Sequence, residues 1–143
     1  MTGEEAHRRF TEARVARLAT ASGAGHPHLV PIVFAISGDD LITAVDHKPK
    51  RTLALRRLAN VAENPRVAVL ADHYSEDWSQ LWWARADGLA ELLTSDTPGF
   101  AEALDHLVAR YGQYQQRRPE GPVIRIKVQR WSGWSAGSAG STR

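Results

Sequence analysis

The sequence predicts a mainly β domain with short helices (α+β). Its six strands form a largely antiparallel sheet rolled into a small closed barrel. Three observations carry this. Runs of alternating apolar and polar residues recur along the chain, divided by Gly, Asp and Pro turns. Successive runs lie close enough to pair as hairpins, which makes them antiparallel. The helical patterns are few and short, suited to capping barrel openings and not to covering both faces of a doubly wound sheet.

Taken in order, Thr2 followed by Glu5 forms a capping box for a polar helix reaching about Arg14. Val15 to Ala21 reads as a strand, and Ser22 to Gly25 as a turn. His28 to Ser37 reads as one strand, with Val30, Ile32, Phe34 and Ile36 on one face and Pro31 marking an edge or bulge. Gly38-Asp39-Asp40 turns the chain into a strand from Leu41 to Asp46. A helix from about Arg51 to Glu63 shows Leu55, Leu58, Ala59 and Ala62 on its apolar face and Arg56, Arg57 and Asn60 on the other. Asn64-Pro65 ends it, because the residue before proline avoids helical dihedrals. Arg66 to His73 is a strand and Tyr74 to Gln80 an acidic loop. Leu81 to Leu93 is a long strand with Gly88 at a bulge or bend. Pro98 opens a helix running to about Tyr111, and Gln115 to Gly121 is a polar loop. Pro122 to Trp131 is the last strand, followed by a Ser/Gly-rich tail. The expected organisation is one domain over 1–134 and a flexible tail over 135–143.

Composition narrows the function. The 143 residues suffice for a core that needs no staples. Without cysteine there are no disulfides, thiolate metal sites or Cys nucleophile. No secretory h-region and no membrane-length apolar run occur, so a cytoplasmic location is expected. A net charge of +2 opposes bulk nucleic-acid binding. Against it, Lys48, Lys50, Arg51, Arg56 and Arg57 concentrate in HKPKRTLALRR, where a strand hands over to a helix. A charge run is often a solvated helix face. Here its position also suits an anion site, since lysine and arginine add charge to the free N–H groups of the first turn. Helical spacing puts Lys50 and Arg57 on one side.

The sequence lacks both G-x-G-x-x-G and G-x-x-x-x-G-K-[ST], which disfavours a Rossmann or P-loop enzyme. Gly133 to Gly137 matches G-x-S-x-G, but no Asp or His follows to complete a hydrolase triad. His26 and His28 flank Pro27 without a third ligand at metal spacing, and they read as turn histidines; no metal site is expected. Alternation puts Trp83 and Arg85 on one strand face and Trp82 on the other, as core, interface or a wall for a flat ring.

Three segments carry a resemblance: VARLATASGAGHPHLVPIVFAI at 15–36, HKPKRTLALRRLANVAENPRVAVL at 47–70 and DWSQLWWARADGLAEL at 77–92. In order and spacing the chain resembles the pyridoxamine 5′-phosphate oxidase-like split β-barrel proteins, in particular the actinobacterial branch of coenzyme F420 (deazaflavin)-dependent oxidoreductases. The resemblance implies a split barrel of the FMN-binding type and a homodimer with flavin or deazaflavin at the subunit interface. It implies that Lys50 and Arg57 hold the cofactor phosphate, with Lys48, Arg51, Arg56 and Asn60 close by. Val30, Pro31, Ile32 and Val33 would lie along the ring, and Trp82, Trp83 and Arg85 would come from the partner subunit. The implied reaction is hydride transfer to or from a small unsaturated or aromatic substrate. No side chain stands out as an obligatory acid or base, although Asp72, His73 and Tyr74 lie at a strand end. The alternatives are an FMN-dependent enzyme of the same family and a non-catalytic flavin, deazaflavin or haem binder. A nucleic-acid binder is disfavoured, and no membrane partner is expected.

Overall fold

A computed structural model describes residues 1–45 and 51–137, with the stretch 51–55 described by its backbone only. The elements are α1 (Gly3–Glu12), β1 (Ala16–Ala21), β2 (Pro27–Ile32), β3 (Ala35–Ser37), β4 (Asp40–Ala44), α2 (Arg51–Glu63), β5 (Arg66–His73), β6 (Trp82–Leu93), α3 (Phe100–Arg110), α4 (Gly112–Gln116) and β7 (Val123–Ser135). A short 3-10 turn, Trp78–Gln80, sits between β5 and β6. The strands form one antiparallel sheet in the order β2-β1-β5-β6-β7-β4-β3.

Seven strands stand where six were expected, because the run from His28 to Ser37 is two strands. The chain breaks at Val33-Phe34, and β2 and β3 lie at opposite edges of the sheet. Two residues therefore join the two edges, which curls the sheet into a barrel with a seam. Side chains close that seam. The Phe34 N–H donates to the Tyr111 hydroxyl at 3.0 Å, and that hydroxyl donates back to the Phe34 carbonyl at 2.7 Å. Arg110 donates to the same carbonyl at 2.7 Å and also reaches the Ala13 carbonyl. Thr43 Oγ1 donates to the Val33 carbonyl at 2.8 Å.

Pairing register fixes the faces. Leu18, Val69, Ala84, Ala86 and Ile126 point into the barrel, where α1 contributes Ala6 and Phe10 and α2 contributes Val61. A second cluster lies outside, where Ala103, Leu104 and Leu107 of α3 cover Ile42, Leu93 and Val123. Both faces of the β4 and β7 end are thus buried.

Other local expectations hold for stated reasons. Thr2 Oγ1 accepts from the Glu5 N–H at 3.1 Å and caps α1. Ser37 pairs with Asp40 across a two-residue turn in which Gly38 has φ 61°. At Gly88 the ladder shifts register, and a Cβ there would lie 2.3 Å from the Lys127 carbonyl oxygen, so the bulge requires glycine.

Three expectations are corrected. Among the described side chains of α2, Asn60 and Val61 are buried and Leu58 packs on the core as expected, while Ala59 and Ala62 are exposed, so the packed face is rotated from the apolar stripe. The last strand runs on to Ser135, because Ser132, Gly133, Trp134 and Ser135 pair with Arg85, Ala84, Trp83 and Trp82. The polar stretch after α3 begins with the short helix α4.

Candidate functional site

The site is built where β1 and β2 meet α2. Thr20 and His28 are cross-strand partners and share the inward face with Leu18 and Val30. α2 lies against this end, and buried Asn60 donates from Nδ2 to Thr20 Oγ1 at 3.1 Å. That bond fixes the helix against the strand, so Asn60 spends its amide on packing. Arg57 precedes Asn60 by three residues and Val61 by four, and therefore shares their side of the helix.

The consequence is a cation carried part-way inside. Arg57 is half-buried, and its Nε is buried without a hydrogen-bond partner. Burial pulls its pKa below the usual guanidinium range, partly opposed by Tyr114 of α4. His28 Nδ1 is also buried and without a partner. Burial holds its pKa below 6.5, and the charges of Arg56 and then Arg57 push it further down. Buried polar atoms are normally satisfied, and these two, one of them in the Arg57 guanidinium and with the charge of Arg56 acting on the other, suit an anionic acceptor. An anion placed there would accept from Arg57 and relieve the electrostatic pressure on His28.

Of the other predicted residues, Lys48 and Lys50 lie outside the described residues, and Arg51 is described by its backbone only. Arg56 is exposed next to Arg57. Val30 and Ile32 point inward, Ile32 into the core, while Pro31 is exposed and Val33 is 37% exposed. Trp82 packs against the barrel interior, stacked on His73 with ring centroids 6.5 Å apart and covered by Arg9 at 5.1 Å. Trp83 and Arg85 occupy the opposite face, with Arg85 5.7 Å over the Trp83 ring and 2.9 Å from Asp87. Asn60 thus bonds to β1, the charges of Arg56 and Arg57 act on His28 of β2, and Trp83 and Arg85 lie on the other side of the sheet. His28 was missed as a site residue. Its adjacency to Pro27 suggested a turn, whereas its strand alternation with Val30 and Ile32 was the usable signal. Asp72 is tied to Arg17 at 3.0 Å, and Tyr74 is 65% exposed.

Among the described residues, no group of three His, Asp or Glu side chains could hold a metal, and no helix is long and apolar enough to cross a membrane. The segment Gly133–Gly137 is strand end and turn, with no helix following within the described residues, so the G-x-S-x-G match is not a nucleophile elbow.

A mainly β, antiparallel sheet curled and clasped at a seam, with short helices at its ends, defines a split-barrel protein. Residues 3–135 match the family model described as pyridoxamine 5′-phosphate oxidase, and the chain belongs to that family. Among solved structures, an FAD-binding protein of Mesorhizobium loti is 22% identical with a TM-score of 0.73, covering 93% of this chain and 94% of that one. The haem storage protein HutZ of Vibrio cholerae is 16% identical with a TM-score of 0.71, covering 96% of each chain. An FAD-binding protein of Mycobacterium smegmatis is 16% identical with a TM-score of 0.58, covering 93% of each. At these identities the likeness establishes the fold. No curated protein matches the sequence.

Proposed function

We propose that the protein is a homodimeric coenzyme F420 (deazaflavin)-dependent oxidoreductase passing hydride to or from a small unsaturated or aromatic substrate. The observation that carries the cofactor site is the pair of buried, unpartnered atoms, Arg57 Nε and His28 Nδ1, beside Arg56. They fit a phosphate, which both FMN and the deazaflavin present. Membership of the family and the flavin-binding names of two fold neighbours support a flavin-type ring. The deazaflavin further carries a carboxylate tail, for which Lys48, Arg51 and Arg56 provide cations beyond the phosphate pair of Lys50 and Arg57.

When bound, the cofactor supplies the hydride chemistry. The chain's own residues bind and orient. Arg57 donates to the phosphate, Arg56 adds charge from the helix surface, and the strand backbone from Val30 to Val33 forms a rigid rail for the ring. Neutral His28 becomes a proton acceptor when an anion offsets the two arginines.

Support for the dimer comes from the outer sheet face. One cross-strand row there carries Leu29, Ala19 and Ala68, and the next carries Pro31 and Leu70 on either side of Arg17, whose charge is held by Asp72 at 3.0 Å. α3 covers only the other end of this face, and Leu29 is 68% exposed. An isologous pairing would bury this patch and bring Trp83 and Arg85 to the partner's site.

Titration of apo-protein with FMN and with F420 tests the assignment. F420 should bind more tightly at low salt, with the gap narrowing as salt screens the tail. FMN binding that is equal or tighter at every salt concentration would refute it. Light scattering should show a dimer; a monomer at micromolar concentration with cofactor present overturns the shared site. The likeness in fold to HutZ, over 96% of each chain, supports haem binding as a second reading. A Soret shift with added haemin and no flavin or deazaflavin binding would establish that instead.

A further inference from the structure

A cavity of about 440 Å³ opens at the end of the barrel away from Thr20 and His28. Its floor is the inner-face row His73, Trp82 and Ser135, cross-strand partners on β5, β6 and β7. Leu18 pairs with Val69, so Thr20 lies two residues to one side of that pair and His73 four to the other. That separates the two rows by about 20 Å along the strands. Arg9 of α1, the 3-10 turn before β6 and the turn after β7 complete the lining.

Arg9 is the group prepared for a ligand. Its Nε donates to Glu5 at 3.0 Å, and its guanidinium carbon lies 5.1 Å from the Trp82 ring centroid. Those two contacts fix the group, while its two terminal nitrogens have no hydrogen-bond partner among the described residues. An arginine held in this way presents a fork that a carboxylate meets with two parallel bonds. No lining residue is acidic. Glu5 is shared by Arg8 and Arg9, and Asp77 accepts from Ser79 at 2.7 Å. The Gln80 amide and the Ser135 hydroxyl have no hydrogen-bond partner among the described residues, and each can donate and accept. They suit hydroxyl groups. Arg9 and His73 both lie against Trp82, and the walls are mainly polar, so an aromatic ring gains little here.

We propose that this opening of the barrel is a binding site for a small hydroxycarboxylate, with Arg9 taking the carboxylate and Gln80 and Ser135 the hydroxyl groups. The site lies on the inner side of the sheet, whereas Trp83 and Arg85 project outward. It uses none of the basic segment and does not depend on the cofactor assignment.

D-Glycerate, a carboxylate beside two hydroxyl groups, serves as the probe. It is titrated by calorimetry into the full chain without cofactor. Saturable binding with one site per chain is expected. Arg9→Gln should weaken it about ten-fold or more, because it removes a charged donor pair. Arg9→Lys keeps the charge without the fork and should still lose several-fold. Gln80→Ala and Ser135→Ala should each lose several-fold, and Arg66→Gln, on the outer face, should change nothing. Propionate lacks the hydroxyl groups and glycerol the carboxylate, so each should bind several-fold more weakly. The proposal is overturned if D-glycerate does not bind at millimolar concentration. It is equally overturned if Arg9→Gln and Ser135→Ala, each melting as cooperatively as the parent, bind D-glycerate like the parent. Propionate or inorganic phosphate binding as tightly as D-glycerate would remove the hydroxyl or the carboxylate recognition and overturn it too. F420 should not compete with D-glycerate, and competition would merge the two sites and refute the proposal. A failure of F420 to bind bears on Arg57 and not on this cavity.

Discussion

Replacing Arg57 by Met should stabilise the apo-protein while damaging anion binding. The side chain is half-buried and its Nε donates to nothing. A buried donor without a partner costs about 1–3 kcal/mol. Only part of the group is buried, so the low end applies, about 1 kcal/mol regained by a methionine of similar length. For a chain of this size that raises the melting temperature by about 3 °C. The same change removes a charged hydrogen bond to a bound phosphate, worth about 1.5–3 kcal/mol, which weakens binding about 10- to 150-fold. Thermal melting of the apo-protein and an F420 titration measure the two effects on one sample. A residue kept for packing shows the opposite pattern. If Arg57→Met melts lower than the parent and binds cofactor as well, Arg57 is a structural cation and the reasoning fails.

The remaining outcomes follow from single contacts. Gly88→Ala forces a Cβ against the Lys127 carbonyl and should cost about 3 kcal/mol in a denaturant melt; a loss under about 0.5 kcal/mol would show that the bulge relaxes freely. Tyr111→Phe leaves the Phe34 N–H without its acceptor in a buried setting and should cost about 1–3 kcal/mol by the same measurement. For His28, the folded-state pKa lies below 6.5, so the unfolded chain takes up the proton first as pH falls. The stability contributed by the neutral imidazole is complete above about pH 6.5 and is lost on acidification toward the folded-state pKa. His28→Asn should flatten this acid-side loss in apo melts between pH 7 and 5, and an unchanged pH profile would place the titration elsewhere.

Much of the sheet was legible because its signals are local. The Thr2 cap, the Gly38 turn and the Gly88 bulge each rest on residues within a few positions of one another. The break at Val33-Phe34 was not, since alternation runs unbroken from Val30 to Ile36. What parts the strand is a hydroxyl and a guanidinium more than seventy residues away. The face of α2 was misread for a related reason. Helix periodicity favoured the alanines, but the buried Asn60–Thr20 bond turned a polar edge inward. Ser132 to Ser135 have little strand propensity of their own, and pairing with β6 overrides it. In the site, the concentration of Arg56 and Arg57 was visible from charge alone. The part played by His28 depends on what its ring nitrogen fails to meet, and composition carries no trace of that.

The seam has a consequence for how the barrel can breathe. Elsewhere the wall is a continuous ladder, and widening it would break many backbone bonds at once. Across Val33-Phe34 the wall is held by the side chains of Thr43, Arg110 and Tyr111, two of them from the end of α3 and the residue just beyond it. Lifting the C-terminal end of that helix would release the Arg110 and Tyr111 contacts together and leave every strand pair intact. The barrel therefore behaves as a cuff with a buckle. Amide exchange at Phe34 should outpace that of β1, β5 and β6, whose opening requires unzipping the sheet.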